Sequence, residues 1–491
     1  MKKKVKMVFL IIGYLVLILP MCFCIYYSVP ASDDFGTAVR LNEVGLFLPS
    51  VKHSLTIWST WGGRWVSQFF WTFANPLNSH IHLGHKYGLY MIVLFIIFTI
   101  MIVYSLNVCM KRVLDDNSSF VSIVTFIVMA IFYSTYYYSE CYNWFIGAMV
   151  YTVPLGFIMI TVAAMIKYAE SDFTSTKYYI VMILAGILPA TMEYCDVAIG
   201  ICYVYFIYYC HLNERLSEDI KLKIKNAFPL ILYVLLGISS VFAPGNKVRQ
   251  EYYQLDLSIT KSFIQYVKDV LIRIQDLIID HPMAIILFIL LIVIGINSNQ
   301  THKKIERIPH VIILFAIVIT GALYPYIYGR GFDSTYIDVR MEFILDFSLY
   351  VCIAILCIMF GRYLSYRLEL ELNKKDILFI TAGFVLFVYV SLLQNYAYLD
   401  IVQMDILRNK NVIVESYNYW DDVLIEIENS DEDVVVIERD YVPDWSRYFL
   451  SVGIENGEIY GADSSKIYDE EQIMPNVYYG KKSIQMKIKG E

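Results

Sequence analysis

Ser32-Asp33-Asp34-Phe35 follows directly on the first long apolar run of the chain and precedes a long loop rich in aromatic residues. Two adjacent carboxylates within a few residues of a bilayer exit are costly if they face lipid, so we expect them to face water, a metal or a substrate. Asp33 and Asp34 are therefore the first functional candidates. The alternative interpretation is that they end the helix and stay solvated at the interface. The functional interpretation is favoured only because other polar motifs are predicted on the same side of the membrane.

The composition predicts a multi-pass membrane protein. Of 491 residues, 58% are hydrophobic and 17% are charged, which is far too apolar for a soluble protein. The net charge of -7 combines short Lys/Arg clusters between apolar runs with acidic residues near the C-terminus, and no basic domain indicates a nucleic-acid partner. The nine cysteines show neither metal spacing nor a disulfide framework, so we interpret them as small core residues.

The alternation of apolar runs with short basic loops predicts the topology. Met1-Lys2-Lys3-Lys4 precedes an apolar run from Leu10 to Ile25. This run is longer than the h-region of a secretory signal and lacks cleavage-like small residues, so we interpret it as an uncleaved signal anchor. The positive-inside rule places the N-terminus in the cytoplasm and predicts about eleven spans, the last from Ile377 to Leu393. The C-terminus and the notable polar motifs are then expected on the outer face.

The first outer loop, residues 28–87, is too polar to span a membrane but is rich in Trp and Phe. This aromatic density predicts one or two amphipathic helices at the interface. Trp61-Gly62-Gly63-Arg64-Trp65 puts a glycine pair beside a cation, so the Arg64 guanidinium and nearby backbone could approach an anion closely. Three histidines lie close together near the end of this loop: His80, His82 and His85. No fourth ligand has suitable spacing, which favours solvated or interfacial histidines over a zinc site.

Two further outer motifs carry polar groups that a belt of interfacial aromatic residues does not explain. In Glu140-Cys141-Tyr142-Asn143-Trp144, the aromatic side chains could be interface anchors, but Glu140 and Asn143 could not. The segment from Tyr178 to Ala190 is short and interrupted, and it predicts two short helices that meet outside near Glu193. Broken helices and buried acids often line cavities, although a satisfied structural carboxylate fits this position nearly as well.

The segment Ala243-Pro244-Gly245-Asn246-Lys247-Val248-Arg249 concentrates groups suited to phosphate. It offers backbone near Gly245, the Asn246 amide and two cations at alternate positions. Arg340 adds a further cation at the outer end of a later helix. The segment from Ile259 to Ile279 is amphipathic and is predicted to lie on the outer surface.

The composition changes from about residue 394 onward. Val412-Ile413-Val414 and Val434-Val435-Val436-Ile437 are predicted as strands, with a helix between them near Trp420 to Glu428. This pattern predicts a transmembrane domain over residues 1–394 and a small extracytoplasmic α+β domain over residues 395–491. The C-terminal segment shows no independent catalytic pattern.

An outward-facing membrane protein with acids in its first outer loop and scattered arginines suits the transfer of a sugar from a lipid-phosphate carrier. The departing phosphate needs charge-assisted hydrogen bonds. The candidates are Arg64, Lys247, Arg249 and Arg340. The acceptor hydroxyl needs a carboxylate to take its proton, or a divalent Mg or Mn ion held by one, and Asp34 is favoured, with Asp33 as alternate or partner. The expected substrate contacts are Glu140, Asn143, Trp144, Glu193 and Asn246.

Several motifs together resemble a bacterial family of uncharacterised multi-pass proteins, which are in turn similar to O-antigen glucosyltransferases of the GT-C type. The motifs are the acidic pair after the first span, Gly63-Arg64, Glu140 with Trp144, Gly147 and Tyr151, Pro244-Gly245-Asn246 with Arg249, and Tyr479-Gly480. They extend over nearly the full chain. The resemblance implies a GT-C fold, a polyprenyl-phosphate-sugar donor, and a first-loop acid that carries catalysis, which maps to Asp33 and Asp34.

The leading prediction is a glycosyltransferase that acts on a cell-envelope glycan at the outer face of a bacterial cytoplasmic membrane. A transporter or flippase of a lipid-linked saccharide is the second hypothesis, because the helix interrupted at Pro189 leads to acids at membrane level, Glu193 and Asp196. The third hypothesis is a non-catalytic protein of envelope assembly, in which the C-terminal domain acts as a sensor or assembly module. The sequence requires no particular cofactor.

Overall fold

The computed structural model describes most of the chain. The described residues are 2–31, 33–38, 45–79, 82–114, 118–212, 220–252, 257–298, 308–330, 337–368, 383, 401–441, 443, 448–450, 452, 459–461 and 475–488. The predicted last span, from Ile377 to Leu393, lies outside these residues except for Gly383, and His80 also lies outside them.

Helices dominate the described chain. They are α1 (Lys2–Tyr26), α2 (Asp33–Thr37), α3 (Phe47–Thr60), α4 (Trp65–Phe73), α5 (His85–Val113), α6 (Ser118–Thr135), α7 (Ser139–Tyr142), α8 (Phe145–Gly147), α9 (Val153–Glu170), α10 (Thr176–Ile187), α11 (Asp196–Leu212), α12 (Ile220–Val241), α13 (Pro244–Tyr252), α14 (Ile259–Asp280), α15 (Pro282–Ile296), α16 (Ile308–Arg330), α17 (Val339–Leu368), α18 (Val402–Arg408), α19 (Lys410–Asn429) and α20 (Pro475–Tyr478). The 3-10 turns Pro76–Ser79 and Pro189–Thr191 and the π-helical turn Ala148–Thr152 connect some of them. The strands are β1 (Val434–Arg439), β2 (Ile459–Gly461) and β3 (Ser483–Ile488).

The protein is a helical multi-pass membrane protein. In the described chain, six helical segments are long and apolar enough to cross a membrane: Lys4–Tyr26, His85–Val113, Phe145–Glu170, Ile220–Tyr252, Pro309–Gly329 and Val339–Arg367. The helices α14 and α15 meet at 93° and make a seventh crossing if they count as one broken span. Three shorter apolar helices accompany them: Phe120–Thr135, Thr176–Thr191 and Asp196–His211. The total of about eleven spans stays a prediction.

Several local predictions are confirmed. The first loop forms the two helices α3 and α4, and the interrupted segment before Glu193 forms α10, a 3-10 turn and then α11. The amphipathic segment that begins at Ile259 forms the separate helix α14. In each case the period of apolar side chains, or the break in that period, indicated the element.

Basic side chains mark one end of the helix bundle. Lys111 and Arg112 lie in the last turn of α5, Lys167 in the last turn of α9, and Arg367 in the last turn of α17. The helices α5, α9 and α17 therefore begin at the opposite end, which we call the site end. The positive-inside rule predicts that the site end faces away from the cytoplasm.

Two glycines allow α15 and α17 to pack closely at the basic end of the bundle. A Cβ atom at Gly361 would overlap the carbonyl oxygen of Ile292, and one at Gly295 would overlap the carbonyl oxygen of Ile358. Small residues that bring two backbones together are a recurrent means of packing helices in membranes. Any larger residue at Gly361 would push the two helices apart.

The C-terminal segment combines α19 with a three-stranded sheet of order β1-β3-β2. In this sheet β1 pairs with β3 in parallel and β2 pairs with β3 antiparallel. The strand prediction at Val434-Val435-Val436-Ile437 is confirmed, and its side chains alternate between exposed and buried. The strand prediction at Val412-Ile413-Val414 is wrong, because these residues lie in α19. There the buried positions recur at helical spacing: Ile413, Ser416, Tyr417, Trp420, Val423, Leu424 and Ile427.

The C-terminal segment packs against the rest of the chain. Its hydrophobic core includes side chains of the first loop, among them Phe35 and Leu77. In α18, the Gln403 side-chain amide donates hydrogen bonds to the backbone carbonyl oxygens of Leu17 at 3.1 Å and Tyr133 at 2.9 Å. The first loop and the C-terminal segment thus share one core at the site end.

We predict that Gly361→Ala lowers the thermal unfolding midpoint of the purified protein. The added methyl group overlaps backbone of α15, and overpacking of this kind typically costs about 1–3 kcal/mol. The matched control is Gly200→Ala in α11, where nothing lies within 4 Å of the added Cβ. Alanine is the better helix former, so the control should keep or raise the midpoint. Equal midpoints for both variants in a detergent-based unfolding assay would contradict the close packing.

Candidate functional site

Asp34 is buried and holds the first loop to the helix bundle. Its side chain in α2 is inaccessible to solvent. Oδ2 accepts hydrogen bonds from the Tyr87 hydroxyl at 2.6 Å and the Ala31 backbone N–H at 3.2 Å, and Oδ1 accepts one from the Ile146 backbone N–H at 3.1 Å. These bonds join α2 to the first turn of α5 and to α8. Both carboxylate oxygens of Asp34 are therefore engaged by the protein itself.

The environment of Asp34 also changes its acidity. Burial raises the pKa of Asp34 to about 7, although the hydrogen bonds from Tyr87, Ala31 and Ile146 lower it in part. The folded protein consequently binds this proton more tightly than the unfolded chain, in which the pKa is near 3.8. The stability that Asp34 contributes is therefore fully present below about pH 4 and declines as the pH rises to about 7.

Asp33 precedes Asp34 in α2 but has different surroundings. Its side chain is partly exposed. Burial raises the pKa of Asp33, and the nearby positive charge of Arg340 lowers it in part. Of the two acids, Asp33 is the one that a ligand beside Arg340 could reach.

Arg340, in the first turn of α17, lies at the centre of a polar and aromatic group. Its guanidinium is 3.4 Å from a carboxylate oxygen of Glu140 and 3.2 Å from one of Asp338. Its central carbon lies 5.7 Å from the ring centre of Trp144 and 6.0 Å from that of Tyr151, which are cation–π distances. All three charged side chains keep part of their surface accessible to solvent.

The indole of Trp144 is oriented for a further interaction. Its Nε1–H is buried and has no hydrogen-bond acceptor among the described residues. A buried donor without an acceptor costs free energy. An acceptor oxygen of a bound molecule beside Arg340 would satisfy this donor.

A second charged group joins Arg64, directly before α4, to Glu193, which lies between the 3-10 turn Pro189–Thr191 and α11. Arg64 Nε donates to both carboxylate oxygens of Glu193 at 2.8 Å, and Nη2 donates to one of them. Burial alone would raise the pKa of Glu193, but the charge and hydrogen bonds of Arg64, together with the charge of Arg249, lower it to about 2. The pair therefore stays ionised at neutral pH.

The segments around Gly63 and Gly245 pack closely against each other, and this contact positions Arg64 and Arg249. A Cβ atom at Gly63 would overlap the Ser240 carbonyl oxygen, and one at Gly245 would overlap the backbone of Trp61. Asn246 stabilises the contact, because its Oδ1 accepts from the Gly63 N–H at 3.1 Å and its Nδ2 donates to the Ser240 carbonyl at 2.8 Å. The close approach of the two segments requires glycine on both sides.

Tyr151 lies between the two charged groups. It is buried in the π-helical turn Ala148–Thr152 and stacks on Tyr194 with ring centres 5.3 Å apart. Its ring centre lies 6.0 Å from the guanidinium carbon of Arg340, and its hydroxyl side lies near Arg64. We call the combined set the site cluster, and its members are Asp33, Arg64, Glu140, Trp144, Tyr151, Glu193 and Arg340.

The structure places three of the candidate residues elsewhere. Asn143 is buried, where its Oδ1 accepts from the Tyr137 hydroxyl and its Nδ2 donates to the Tyr448 carbonyl at 3.0 Å. The amide of Asn246 is used by the glycine contact described above. Lys247 is exposed and lies 3.6 Å from Glu251 of the same helix. Arg249, in contrast, lies next to the site cluster, beside Gly62.

Sequence reasoning missed several residues that build the site. Tyr87 and Asp338 were not named as site residues, although Tyr87 donates to Asp34 and Asp338 pairs with Arg340. Tyr151 was named only as part of the family resemblance and was given no role, although its ring lies beside Arg340. Nothing in the sequence could have found Tyr87, because its partner lies far away in the chain. Asp338 had one available signal, since it sits two positions before the candidate Arg340.

An apolar groove of about 720 Å³ opens between α11, α12 and α16. Its walls consist mostly of aliphatic and Tyr side chains, and many of these are exposed. Asp196 and Phe242 line it near the site end, and His310, at the start of α16, lines it at the far end. Asp196 follows shortly after Glu193, so this end of the groove lies close in the chain to the site cluster.

The two described histidines at the end of the first loop, His82 and His85, contact the C-terminal helix α19. His82 Nε2 lies 3.0 Å from a carboxylate oxygen of Asp421, and the ring of His85 stacks between Tyr26 and Tyr417. The hydrogen bond to Asp421 raises the pKa of His82, which burial partly opposes. In the described parts of the chain, no group of three or more His, Cys, Asp or Glu side chains is arranged to hold a metal ion.

Comparison of the chain with known protein families, with curated proteins and with solved structures finds no match. The site cluster must therefore be interpreted from its own chemistry. It combines a reachable carboxylate, two arginine groups and an unsatisfied indole N–H at the end of a membrane bundle. Such a set can hold an anion and accept a proton from a hydroxyl group.

We predict that Asp34→Ala lowers the thermal unfolding midpoint strongly, whereas Asp33→Ala changes it little. The first substitution leaves Tyr87, Ala31 and Ile146 without their buried acceptor, at about 1–3 kcal/mol for each unsatisfied group. The second removes a partly exposed side chain. The measurement is unfolding of both purified variants in the same detergent, and a larger loss for Asp33→Ala would contradict the assignment of Asp34 as the structural acid.

Proposed function

We propose that this protein is a membrane glycosyltransferase of GT-C-like architecture. It moves a sugar from a polyprenyl-phosphate-linked donor to a cell-envelope glycan on the outer face of a bacterial cytoplasmic membrane. The observation that carries this proposal is the position of the site cluster at the site end of the bundle, beside one end of a groove that opens to lipid. Carrier lipid and charged head group can then be bound by adjacent parts of the same molecule.

The donor lipid occupies the apolar groove in this proposal. The groove volume of about 720 Å³ is within the range of ligand-binding clefts, and its walls suit an isoprenoid chain. Because the chain is already surrounded by apolar lipid in the bilayer, these walls contribute van der Waals packing energy rather than a hydrophobic gain. The phosphate then lies near Glu193 and the arginines of the site cluster.

The phosphate is stabilised by the arginines. The hydrogen bonds of Arg64 to Glu193 use Nε and Nη2, and within the described chain its third nitrogen, Nη1, has no acceptor and can donate to an anion. Arg249, whose charge also acts on Glu193, and Arg340 add positive charge to the site cluster. These cations oppose the negative charge that develops on the phosphate oxygen as its bond to the sugar breaks.

Asp33 is the base in this proposal, and Asp34 holds α2 in place. The acceptor hydroxyl attacks the anomeric carbon of the donor sugar, its proton passes to an Asp33 carboxylate oxygen, and the carrier phosphate leaves with the bonding electrons. Trp144 donates its indole N–H to an oxygen of the sugar or the phosphate, and Glu140 keeps Arg340 oriented. Asp34 is inaccessible to solvent and accepts three hydrogen bonds from the protein, so it has a structural role in this proposal, and no step is assigned to Mg or Mn.

We predict that Asp33→Asn lowers the rate of sugar transfer by about 10²- to 10⁴-fold, the contribution typical of a general base. The assay uses protein in proteoliposomes with the lipid extract of the source cells, and mass spectrometry measures the polyprenyl phosphate that is released. Asp431→Asn, on an exposed turn, is the matched control and should keep the wild-type rate. The base works in its ionised form, and burial raises the pKa of Asp33. The wild-type rate should therefore rise with pH, with a midpoint above the ordinary aspartate pKa of 3.8.

The same proteoliposomes test the second hypothesis, a transporter of a lipid-linked saccharide. Its supporting observation is that the groove extends from Asp196 to His310, which are at opposite ends of the bundle. Transfer of the intact donor lipid between the leaflets, without release of polyprenyl phosphate, would contradict the glycosyltransferase and favour transport. Normal release by Asp33→Asn would contradict the assignment of the base.

A further inference from the structure

A second groove, separate from the site cluster, lies on the C-terminal segment. It has a volume of about 560 Å³ and forms between α19 and the end of β1 with the residues that follow β1. This size is within the range of small-ligand clefts. The apolar groove between α11, α12 and α16 is lined mostly by aliphatic and Tyr side chains. The lining of this second groove is instead rich in polar side chains: Asn411, Glu415, Asn418, Asp422, Arg439 and Tyr441.

One face of α19 supplies most of the polar side chains. Asn411, Asn418 and Asp422 are separated by whole numbers of helical turns, to a good approximation, and all three are exposed. They make no hydrogen bond or ion pair with other described residues. Two amides and one carboxylate thus face the same groove with their hydrogen-bonding capacity unused, which is a set of donors and acceptors suited to a polyhydroxylated ligand.

Two tyrosine rings form the floor and one side of the groove. Their ring centres are 6.0 Å apart, and the planes of Tyr419 and Tyr441 are inclined at 46°. The Tyr441 hydroxyl donates to Glu415 at 2.8 Å, which fixes the orientation of the more exposed ring. Tyrosine provides a flat amphipathic surface at a low cost in conformational entropy, and the apolar face of a sugar ring can pack on it.

The charge of the groove selects among saccharides. Glu415 and Asp422 contribute two carboxylates, whereas the guanidinium of Arg439 is already bound to Glu426 at 2.9 Å. The net field is therefore acidic. It repels an anionic polymer and accepts a neutral or amino-bearing one.

We propose that this groove is a saccharide-binding site for a neutral or amino-bearing glycan of the cell envelope. The site is independent of sugar transfer at Asp33, because it lies on the C-terminal segment and shares no residue with the site cluster. It also leaves the contact with the first loop intact, since Tyr417 and Asp421 face that loop from a different side of α19. A glycan bound here is held by the same molecule that carries the site cluster.

The test uses the full-length protein in nanodiscs on an array of bacterial surface polysaccharides. The array includes neutral glucans and galactans, polymers with free amino sugars, and anionic teichoic and uronic acids. We expect retention of at least one neutral or amino-bearing polymer and no retention of the anionic ones. Asn418→Ala should weaken that binding about 2- to 12-fold, the effect of one hydrogen bond, and Tyr441→Ala should weaken it further.

The matched control is Asn429→Ala, which removes an exposed amide from the last residue of α19, outside the groove. It should bind as the wild type does. Three results would overturn the proposal: no polymer on the array binds the wild type, only anionic polymers bind it, or Asn418→Ala and Asn429→Ala bind equally well.

Discussion

The burial of the Asp34 carboxylate is the constraint on which the rest of the site depends. A carboxylate removed from water must be matched by hydrogen-bond donors, and here Tyr87 and two backbone N–H groups provide them. Successive residues of a helix project about 100° apart. Fixing Asp34 toward the bundle therefore turns Asp33 in a different direction, toward Arg340. One acid sets the geometry, and its neighbour remains available to a ligand.

The glycine contact supplies the second half of the arrangement. Gly63 and Gly245 let two loops approach more closely than any side chain would permit, and Asn246 joins them by hydrogen bonds on both sides. As a result, Arg64 lies within hydrogen-bonding distance of Glu193, which is far away in the sequence. The two motifs that sequence analysis treated as separate phosphate sites are therefore one structural unit. Its glycines and amide build the scaffold, and its arginines carry the charge.

The sequence was informative where the pattern is local. Apolar runs indicated the membrane helices, and the break before Glu193 indicated a helix interruption, because both follow from the periodicity and composition of neighbouring residues. The strand prediction at Val412-Ile413-Val414 was wrong. Three β-branched residues in a row favour a strand, but packing of one face of α19 against the rest of the protein stabilises a helix here. The choice between Asp33 and Asp34 and the burial of Asn143 depend on partners distant in sequence, so no single-chain pattern could reveal them.

The most direct test of the central claim, that the protein adds a sugar to an envelope glycan through Asp33, is the glycan composition of cells. Mass spectrometry of envelope polysaccharides would compare cells that lack the gene with cells complemented by the wild type or by Asp33→Asn at equal protein level. We predict that deletion removes one sugar substituent and that only the wild type restores it. An envelope whose sugar composition is the same in all three strains would contradict the claim.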